Sequence, residues 1–308
     1  MHKLIEQLER LRQTAAQRLV ISVALGIVIG IVAAGITGNL LPANSMEPGS
    51  HFKVAASIGA LFGVLTGTVL TARWAQPAKR EYVTRFKEDV VRGVLDGLLD
   101  IQSFAHNSYL SSEEIKAAYL VPIGNRYRGD DLLSASYRGV HFRQCDLYIQ
   151  HVQNSGKNST THTYFHGKWI VLDYTPKELQ GYIQVRERES GSRRVSGGIF
   201  SSMPEVESVK LESVEFNRRF EVRATHPHSV FYLLTPHFME TVERLCQKVE
   251  GQIGLAFEKG RLHIAVHNNQ NALEPPLFSP ISQDIEQQLL QQTEIITDII
   301  DVLILGGK

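Results

Sequence analysis

Residues 19–41, LVISVALGIVIGIVAAGITGNLL, form an apolar stretch of 23 residues without a charged side chain. A second uncharged stretch, VAASIGALFGVLTGTVLTA, covers residues 54–72. Because a helix rises about 1.5 Å per residue, each stretch has about the length that crosses a hydrocarbon core of roughly 30 Å. The sequence therefore predicts two transmembrane helices, 19–41 and 54–72, joined by an external loop at 42–53.

Two alternatives also fit long apolar stretches. They are a pair of buried core helices, or a signal peptide followed by a single membrane anchor. Core helices of this length usually show a polar face, and neither stretch has one. The first stretch is also long for the apolar region of a signal peptide.

The basic residues predict the orientation of this hairpin. The loop 42–53 contains a single basic residue, Lys53. The flanks of the two apolar stretches contain Lys3, Arg10, Arg12, Arg18, Arg73, Lys79, Arg80, Arg85 and Lys87. Because positively charged flanks remain cytoplasmic, we expect the segment 1–18 and everything after residue 72 to lie in the cytoplasm. This interpretation makes the chain a multi-pass membrane protein with both termini cytoplasmic.

Small residues recur every four positions in both apolar stretches. The first stripe is Ser22, Gly26, Gly30, Ala34 and Gly38, and the second is Ala55, Gly59, Gly63, Gly67 and Thr71. Such stripes allow helix backbones to approach closely in lipid, so they predict helix packing, either within the hairpin or with a second copy or a partner protein. No ionisable residue lies inside either stretch, which argues against a transport path through the hairpin alone.

The segment after the second stretch is predicted to be a juxtamembrane helix, residues 73–104. Its apolar residues recur at spacings of three and four from Lys79 to Phe104. Its first part is basic, and these residues can lie on anionic headgroups or serve only to fix the topology. They are Arg73, Lys79, Arg80, Arg85 and Lys87.

The remaining part, 105–308, is predicted to be a mixed, mainly antiparallel α+β domain in the cytoplasm. Ser111 and Thr235-Pro236 have the composition of helix starts, and residues 281–305 are predicted to form a final amphipathic helix. Strands are predicted at 133–152, 163–174, 181–188, 210–216, 220–224, 253–257 and 262–266. Loops are predicted at 151–161 and 190–198, and a hairpin turn at 258–261.

The sequence contains no established catalytic or cofactor-binding motif, so we predict no cofactor and no catalytic residue. The histidines 226, 228 and 237, and the pair His263 and His267, could bind a metal but are more often ordinary hydrogen-bonded residues. Asp130 and Asp131 could bind a cation or merely form a turn. We therefore predict no metal site. The net charge of zero gives no support to a nucleic-acid partner.

Five motifs occur in an order that resembles a known protein family. They are YRGDD at 127–131, YFHGKWIVLD at 164–173, EFNRRFEV at 215–222, YLLTPHFM at 232–239 and KGRLHIAV at 259–266. In this order they resemble the bacterial membrane proteins grouped as domain of unknown function family 3137, over about Leu110 to Val302. The resemblance implies a bacterial origin, and therefore a location in the bacterial plasma (inner) membrane, together with a single large soluble domain. It implies no reaction.

These observations favour a non-enzymatic binding or scaffold domain that a helical hairpin tethers to the inner membrane. The lipid bilayer is then its first partner. The alternative is a membrane-tethered, hydrolase-like enzyme with an unrecognised site at the Asp130/Asp131 pair or at the histidines. A transport component is a weaker third interpretation.

Overall fold

The computed structural model describes residues 2–40, 50–156, 158–174, 181–188, 205–249, 251–271, 273–282 and 284–301. The chain divides into two compact units. The helical unit contains Met1–Val91 and the segment Glu274–Ile285, and the sheet unit contains Arg92–Leu273 and Glu286–Lys308. The predicted fold class is confirmed at the level of an α+β protein with two long apolar helices near its start.

The helical unit begins with α1 (His2–Leu40) and α2 (Ser50–Leu70), which run antiparallel. A π-helical turn, Thr71–Ala75, joins α2 to α3 (Gln76–Phe86). Pro77 lies at the start of α3 and has no N–H to donate to the preceding turn, which is a common cause of an irregular helical turn. A second π-helical turn, Lys87–Val91, ends the first part of this unit.

The juxtamembrane helix ends earlier than the sequence predicts. The helical conformation continues through α4 (Arg92–Asp96), and Asp100–Ala105 then forms the strand β1 instead of the end of a helix. Gly97, which is unfavourable within a helix, follows α4 directly. The apolar residues Ile101 and Phe104 fit a helical spacing, but they lie on a strand that pairs with its neighbour.

The sheet unit is built on strands that all pair antiparallel with their neighbours. Among the described residues the strand order is β1-β2-β3-β4-β9-β8-β5-β7-β6. The strands are β1, β2 (Arg126–Tyr137), β3 (Val140–Ser155), β4 (Asn158–Asp173), β5 (Ile183–Glu187), β6 (Glu207–Val209), β7 (Phe220–Ala224), β8 (Gln252–Glu258) and β9 (Arg261–His267).

Helices connect and cover these strands. They are α5 (Ser112–Ala117), α6 (Val214–Arg219), α7 (Pro227–Leu233), α8 (Pro236–Lys248) and α9 (Ile285–Ile299). Ser111 caps α5 by accepting a hydrogen bond from the Glu114 N–H, and Thr235 caps α8 in the same way, as the sequence predicts. The final helix was predicted from residue 281 but begins at Ile285, and residues beyond 301 lie outside the described part.

One core cluster lies where α5 packs on the sheet. Leu147, Phe165 and Trp169 on β3 and β4 are fully buried and belong to this cluster together with Ile115 of α5. Glu114, on the same helix, forms ion pairs with Arg143 of β3 and with Arg261 of β9, 3.3 Å away. The helix is therefore held on the sheet by both apolar packing and charge.

Three strand-level predictions are wrong. Residues 133–152, predicted as one strand, form most of a hairpin whose turn is Arg138-Gly139, both with positive φ, 48° and 81°. The predicted loop 151–161 is instead a long polar extension of β3 and β4. Residues 214–219 form α6 and not a strand, because Ser213 caps the helix by accepting a hydrogen bond from the Phe216 N–H.

The other strand predictions are confirmed: 163–174, 181–188, 220–224 and the hairpin formed by 253–257 and 262–266 all contain strands at these positions. The predicted loop 190–198 lies outside the described residues.

Candidate functional site

The two small-residue stripes face each other where α1 and α2 cross. A Cβ atom added at Gly26 would lie 2.8 Å from Gly67 Cα and 2.9 Å from Gly63 O. A Cβ atom at Gly30 would lie 2.9 Å from Gly59 O. Real Cβ atoms do not approach other atoms this closely, so larger side chains at these positions require the helices to move apart.

The contact is closest in the middle of the stripe and looser toward the loop. Ala34 contacts the position opposite, because a Cβ atom at Gly59 would clash with the Ala34 Cβ atom. At Gly38 the nearest atom to an added Cβ is Ala55 Cβ at 3.7 Å, an ordinary van der Waals distance. Gly35 lies outside the stripe and has no such neighbour within 4 Å. In this structure the two stripes face each other within the hairpin, and Gly26, Gly30, Gly59 and Gly63 lie at the centre of the contact.

An apolar groove of about 780 Å³ runs beside this crossing. Its walls include Ile27 and Ile31 of α1 and Ala60 and Val64 of α2. Most of the surrounding apolar side chains are exposed: Ile31 is 68% exposed and Leu61 is also 68% exposed. The hairpin thus presents apolar side chains outward and small residues inward.

The predicted membrane-surface residues divide into two groups. Arg73, Lys79, Arg80 and Arg85 are exposed. Lys87 is buried, with 2% of its surface exposed, and its ammonium lies 3.3 Å from the Glu274 carboxylate. A buried ammonium group does not contact headgroups, so the structure does not support this role for Lys87.

Trp74 was missed by the sequence reasoning. It lies two residues beyond the second predicted span, and the Arg18 guanidinium lies 5.5 Å from its ring centroid. Arg18 directly precedes the first predicted span. A half-exposed tryptophan at a span end is typical of membrane–water interfaces. The sequence signal that could have identified Trp74 as an interface residue is its position next to the basic residues that follow the second predicted span.

A second candidate site is a buried charged cluster on β2, β3 and β4. Carboxylate oxygens of Asp130, Asp131 and Asp146 lie within 4.8 Å of one another. Asp146 is directly opposite Asp130 on one side and Lys168 on the other. A bulge between residues 130 and 133 and a positive φ of 58° at Asp131 allow two consecutive aspartates to approach the same point.

The environment of this cluster contains further polar groups. Asn271 donates hydrogen bonds to the Asp130 carboxylate, at 3.2 and 3.4 Å, and His106 Nδ1 lies 3.8 Å from Asp131 Oδ1. Burial lowers the pKa of Lys168, whereas the charges of Asp146 and Asp131 oppose this shift. The three carboxylates could be neutralised in two ways. Their oxygen atoms are suitable ligands for a hard divalent cation. The ammonium group of Lys168 can also provide positive charge that compensates the carboxylates.

The sequence identified Asp130 and Asp131 but not Asp146 and Lys168. Both side chains are nevertheless buried, with 6% and 8% of their surfaces exposed. Asp146 alternates with Cys145 and Leu147 of the apolar core cluster, so it occupies a position where a strand pattern expects a polar residue, and no local signal marks it. These residues meet only because β2, β3 and β4 pair in a particular register. A local sequence pattern does not predict the register of strand pairing.

Two of the histidines that could bind a metal, His263 and His267, form ordinary hydrogen bonds. His263 is fully buried, and its Nδ1 accepts a hydrogen bond of 3.4 Å from the Trp169 indole. Burial lowers the pKa of His263 to about 4. His267 Nδ1 accepts a hydrogen bond from the His166 N–H. Within the described ranges, no histidine belongs to a converging group of three metal-binding side chains.

The two cysteines are poor candidates for nucleophiles. Both thiols are buried. Burial raises the pKa of Cys246 to about 12, and it raises the pKa of Cys145 further. Because the thiolate is the reactive form, neither side chain is activated in this structure.

Comparison with known proteins gives one family. No curated protein and no solved structure matches the chain. Residues 163–305 match the family model described as "Protein of unknown function (DUF3137)". The matched segment contains four of the five motifs on which the resemblance rests, and YRGDD at 127–131 lies before it. This match supports membership of residues 163–305 in the DUF3137 family of proteins of unknown function.

Proposed function

We propose that this protein is anchored in a membrane by its helical hairpin and that the sheet unit is a cytoplasmic, non-enzymatic binding or scaffold domain. The observation that carries the proposal is the exposure of the apolar helices. In the most apolar 18-residue windows of the two helices, only 17% and 11% of the residues are buried. Helices that belonged to a water-soluble core would be mostly buried.

The structure of the hairpin fits a bilayer. In lipid, apolar surface does not drive helices together, so close backbone packing through small residues is what stabilises a helix pair. The crossing at Gly26, Gly30, Gly59 and Gly63 has this property. The exposed valine, leucine and isoleucine side chains outside the crossing would then contact acyl chains instead of water.

The ends of the hairpin support one orientation. Arg18 and Trp74 lie together, so the start of the first predicted span and the end of the second are at the same end of the hairpin. This end also has the exposed basic residues Arg73, Lys79 and Arg80. The positive-inside rule then makes this the cytoplasmic end, and the loop 42–53 is external.

A binding role for the sheet unit is supported by its surface. Phe231 and Tyr232 are adjacent on α7 and are 51% and 69% exposed. Aromatic side chains are enriched at protein interfaces, because they provide a large contact area at a low entropic cost. The two buried thiols and the deeply buried His263 are not placed as catalytic groups usually are.

Topology is tested by single-cysteine labelling of the full chain in sealed membranes, in a Cys145→Ala/Cys246→Ala background. A cysteine at Ser45 should react with an impermeant maleimide from the outside, and a cysteine at Ser190 or Lys308 should react only after permeabilisation. A cysteine at Phe231, which is 51% exposed on α7, is the control: it should react after permeabilisation if the sheet unit is folded and cytoplasmic. External labelling at Ser190 or Lys308 would contradict the orientation. If carbonate extraction releases the labelled proteins into the supernatant, membrane anchoring is contradicted.

A second candidate function, a membrane-tethered enzyme, is favoured by the cluster of Asp130, Asp131, Asp146 and Lys168. Buried convergent charges with shifted pKa values are common at active sites, although structural ion-pair networks also have them. Isothermal titration of Mg²⁺ or Mn²⁺ into the full chain tests one form of this alternative. Binding that Asp146→Asn abolishes, with unchanged folding, would favour it over the scaffold.

A further inference from the structure

The segment 274–282, with the sequence EPPLFSPIS, lies along the chain between two parts of the sheet unit. It follows β9 and precedes α9 in sequence, but it belongs to the helical unit. It contains three prolines and forms neither helix nor strand. Its backbone groups therefore have no partners from regular secondary structure, and hydrogen bonds from side chains can satisfy them.

Two of its carbonyl groups accept hydrogen bonds from buried side chains on different helices. Tyr82 of α3 is fully buried, and its hydroxyl donates a hydrogen bond of 2.8 Å to Pro276 O. Arg12 of α1 is 8% exposed, and its Nη1 donates a hydrogen bond of 2.9 Å to Leu277 O. One short stretch of backbone thus joins α1 and α3 outside the predicted spans.

Charged groups add two further contacts. Glu9 forms an ion pair with Arg12, and its Oε2 accepts a hydrogen bond of 3.4 Å from the Ile281 N–H. The hydrogen bond from Arg12 lowers the pKa of Glu9, so this pair stays charged at neutral pH. Glu274 pairs with Lys87 at 3.3 Å.

The middle of the segment is exposed, whereas apolar side chains near its two ends are buried. Phe278, its largest side chain, is 69% exposed, and Ser279 and Pro280 are exposed as well. Pro275 and Ile281 are buried. Because this segment has an exposed middle and lacks the ladder of hydrogen bonds of a core strand, it opens at a lower free energy than such a strand and can detach while the sheet remains folded.

We propose that residues 274–282 act as a latch. The surface formed by Glu9 and Arg12 of α1 and Tyr82 of α3 is a binding site for an extended, proline-containing segment, and the chain's own residues 274–282 occupy it. The donors recognise main-chain carbonyl groups, which an extended proline-containing segment leaves without internal hydrogen bonds. When the latch is closed, α1 and α3 are tied together; when it opens, the donors and the carbonyl groups of the segment are exposed to solvent.

The latch is tested by hydrogen exchange on the full chain in lipid nanodiscs. In Tyr82→Phe, exchange of the segment's amides should become roughly three- to tenfold faster, because one net hydrogen bond is lost. In Arg12→Gln the increase should be at least as large, because this variant also loses the hydrogen bonds to Glu9, whose carboxylate accepts from the Ile281 N–H. Exchange in β3, β4 and β9 should stay unchanged. Tyr232→Phe and Arg10→Gln are matched controls, since both of these side chains are exposed.

Two results would overturn the proposal. Unchanged exchange in the segment for both variants would show that these donors do not hold it. Equally accelerated exchange in the segment and in β3 and β4 would show that the segment is part of one cooperative core and does not open separately. Local acceleration with protected strands supports the latch. The mild Tyr82→Phe change keeps the aromatic ring, so this variant is the one least expected to unfold.

Discussion

The hairpin and the sheet unit distribute their residues in opposite ways. In the hairpin, large apolar side chains such as Ile31 and Leu61 are exposed, and glycine fills the contact between helices. In the sheet unit, Phe165 and Trp169 are fully buried, and even charged residues such as Lys168 lie inside. Apolar residues therefore stabilise the two regions by different means. In the sheet unit they are buried away from water. In the proposed hairpin they contact lipid, and the two helices pack through their backbones at the glycine residues.

The largest expected difference between the two regions comes from one phenylalanine truncation in each. Phe165→Ala should destabilise the sheet unit by about 3–5 kcal/mol, because it leaves a cavity in the core. Phe62→Ala removes a side chain that is 51% exposed on α2, and it should change stability in a bilayer by less than about 1 kcal/mol. Hydrogen exchange of β3 and β4 amides measures the first effect in the full chain. Equal losses from the two variants would contradict the comparison.

Acid should weaken the sheet unit through His263. Its pKa is about 4 when it is buried, against 6.5 in the unfolded chain, so the unfolded state binds the proton more readily. Stability is therefore complete above pH 6.5 and falls by about 3 kcal/mol as the pH decreases toward 4. Comparing the pH dependence of strand exchange in the wild type and in His263→Asn isolates this contribution. His228→Asn, on the exposed part of α7, is the control, and identical pH profiles for wild type and His263→Asn would refute the assignment.

The glycine contact should be sensitive to size at specific positions. Gly63→Leu should weaken the association of α1 and α2 by about 1–3 kcal/mol, because the side chain meets the backbone at Gly26 and Gly30. Gly35→Leu is the matched control, since an added Cβ at Gly35 has no neighbour within 4 Å. Energy transfer between dyes at the two helix ends reports their separation in nanodiscs. If both variants behave alike, the glycine stripe does not determine the packing.

Local signals in the sequence were sufficient for several elements. The apolar stretches, the Thr235-Pro236 helix start and the turn at 258–261 depend on neighbouring residues, and the structure contains all the corresponding elements. Secondary-structure predictions failed where the spacing of apolar residues fits both a helix and a strand. The spacing of Ile101 and Phe104 fits a helix, but pairing with β2 decides the outcome. Around Val214, the Ser213 cap decides for a helix.

In the candidate sites, too, sequence reasoning succeeded only where the contact depends on a local pattern. The glycine stripes were visible, because the four-residue repeat is itself the contact surface. The cluster of Asp146 and Lys168 was not visible, because it requires the register of three strands. The segment 274–282 has a proline-rich composition that suggests only a loop, and its contacts to Arg12 and Tyr82 span 265 and 194 positions of sequence. Contacts at such separations leave no local pattern.

The central claim is that the exposed apolar faces of α1 and α2 contact lipid, and spin-label accessibility measures this contact directly. Labels at Ile31 and Leu61, in the Cys145→Ala/Cys246→Ala protein reconstituted in vesicles, should collide frequently with oxygen and rarely with a water-soluble nickel chelate. A label at Phe231 should show the reverse. Preferential collision of the Ile31 and Leu61 labels with the nickel chelate would place these helices in water and contradict the account.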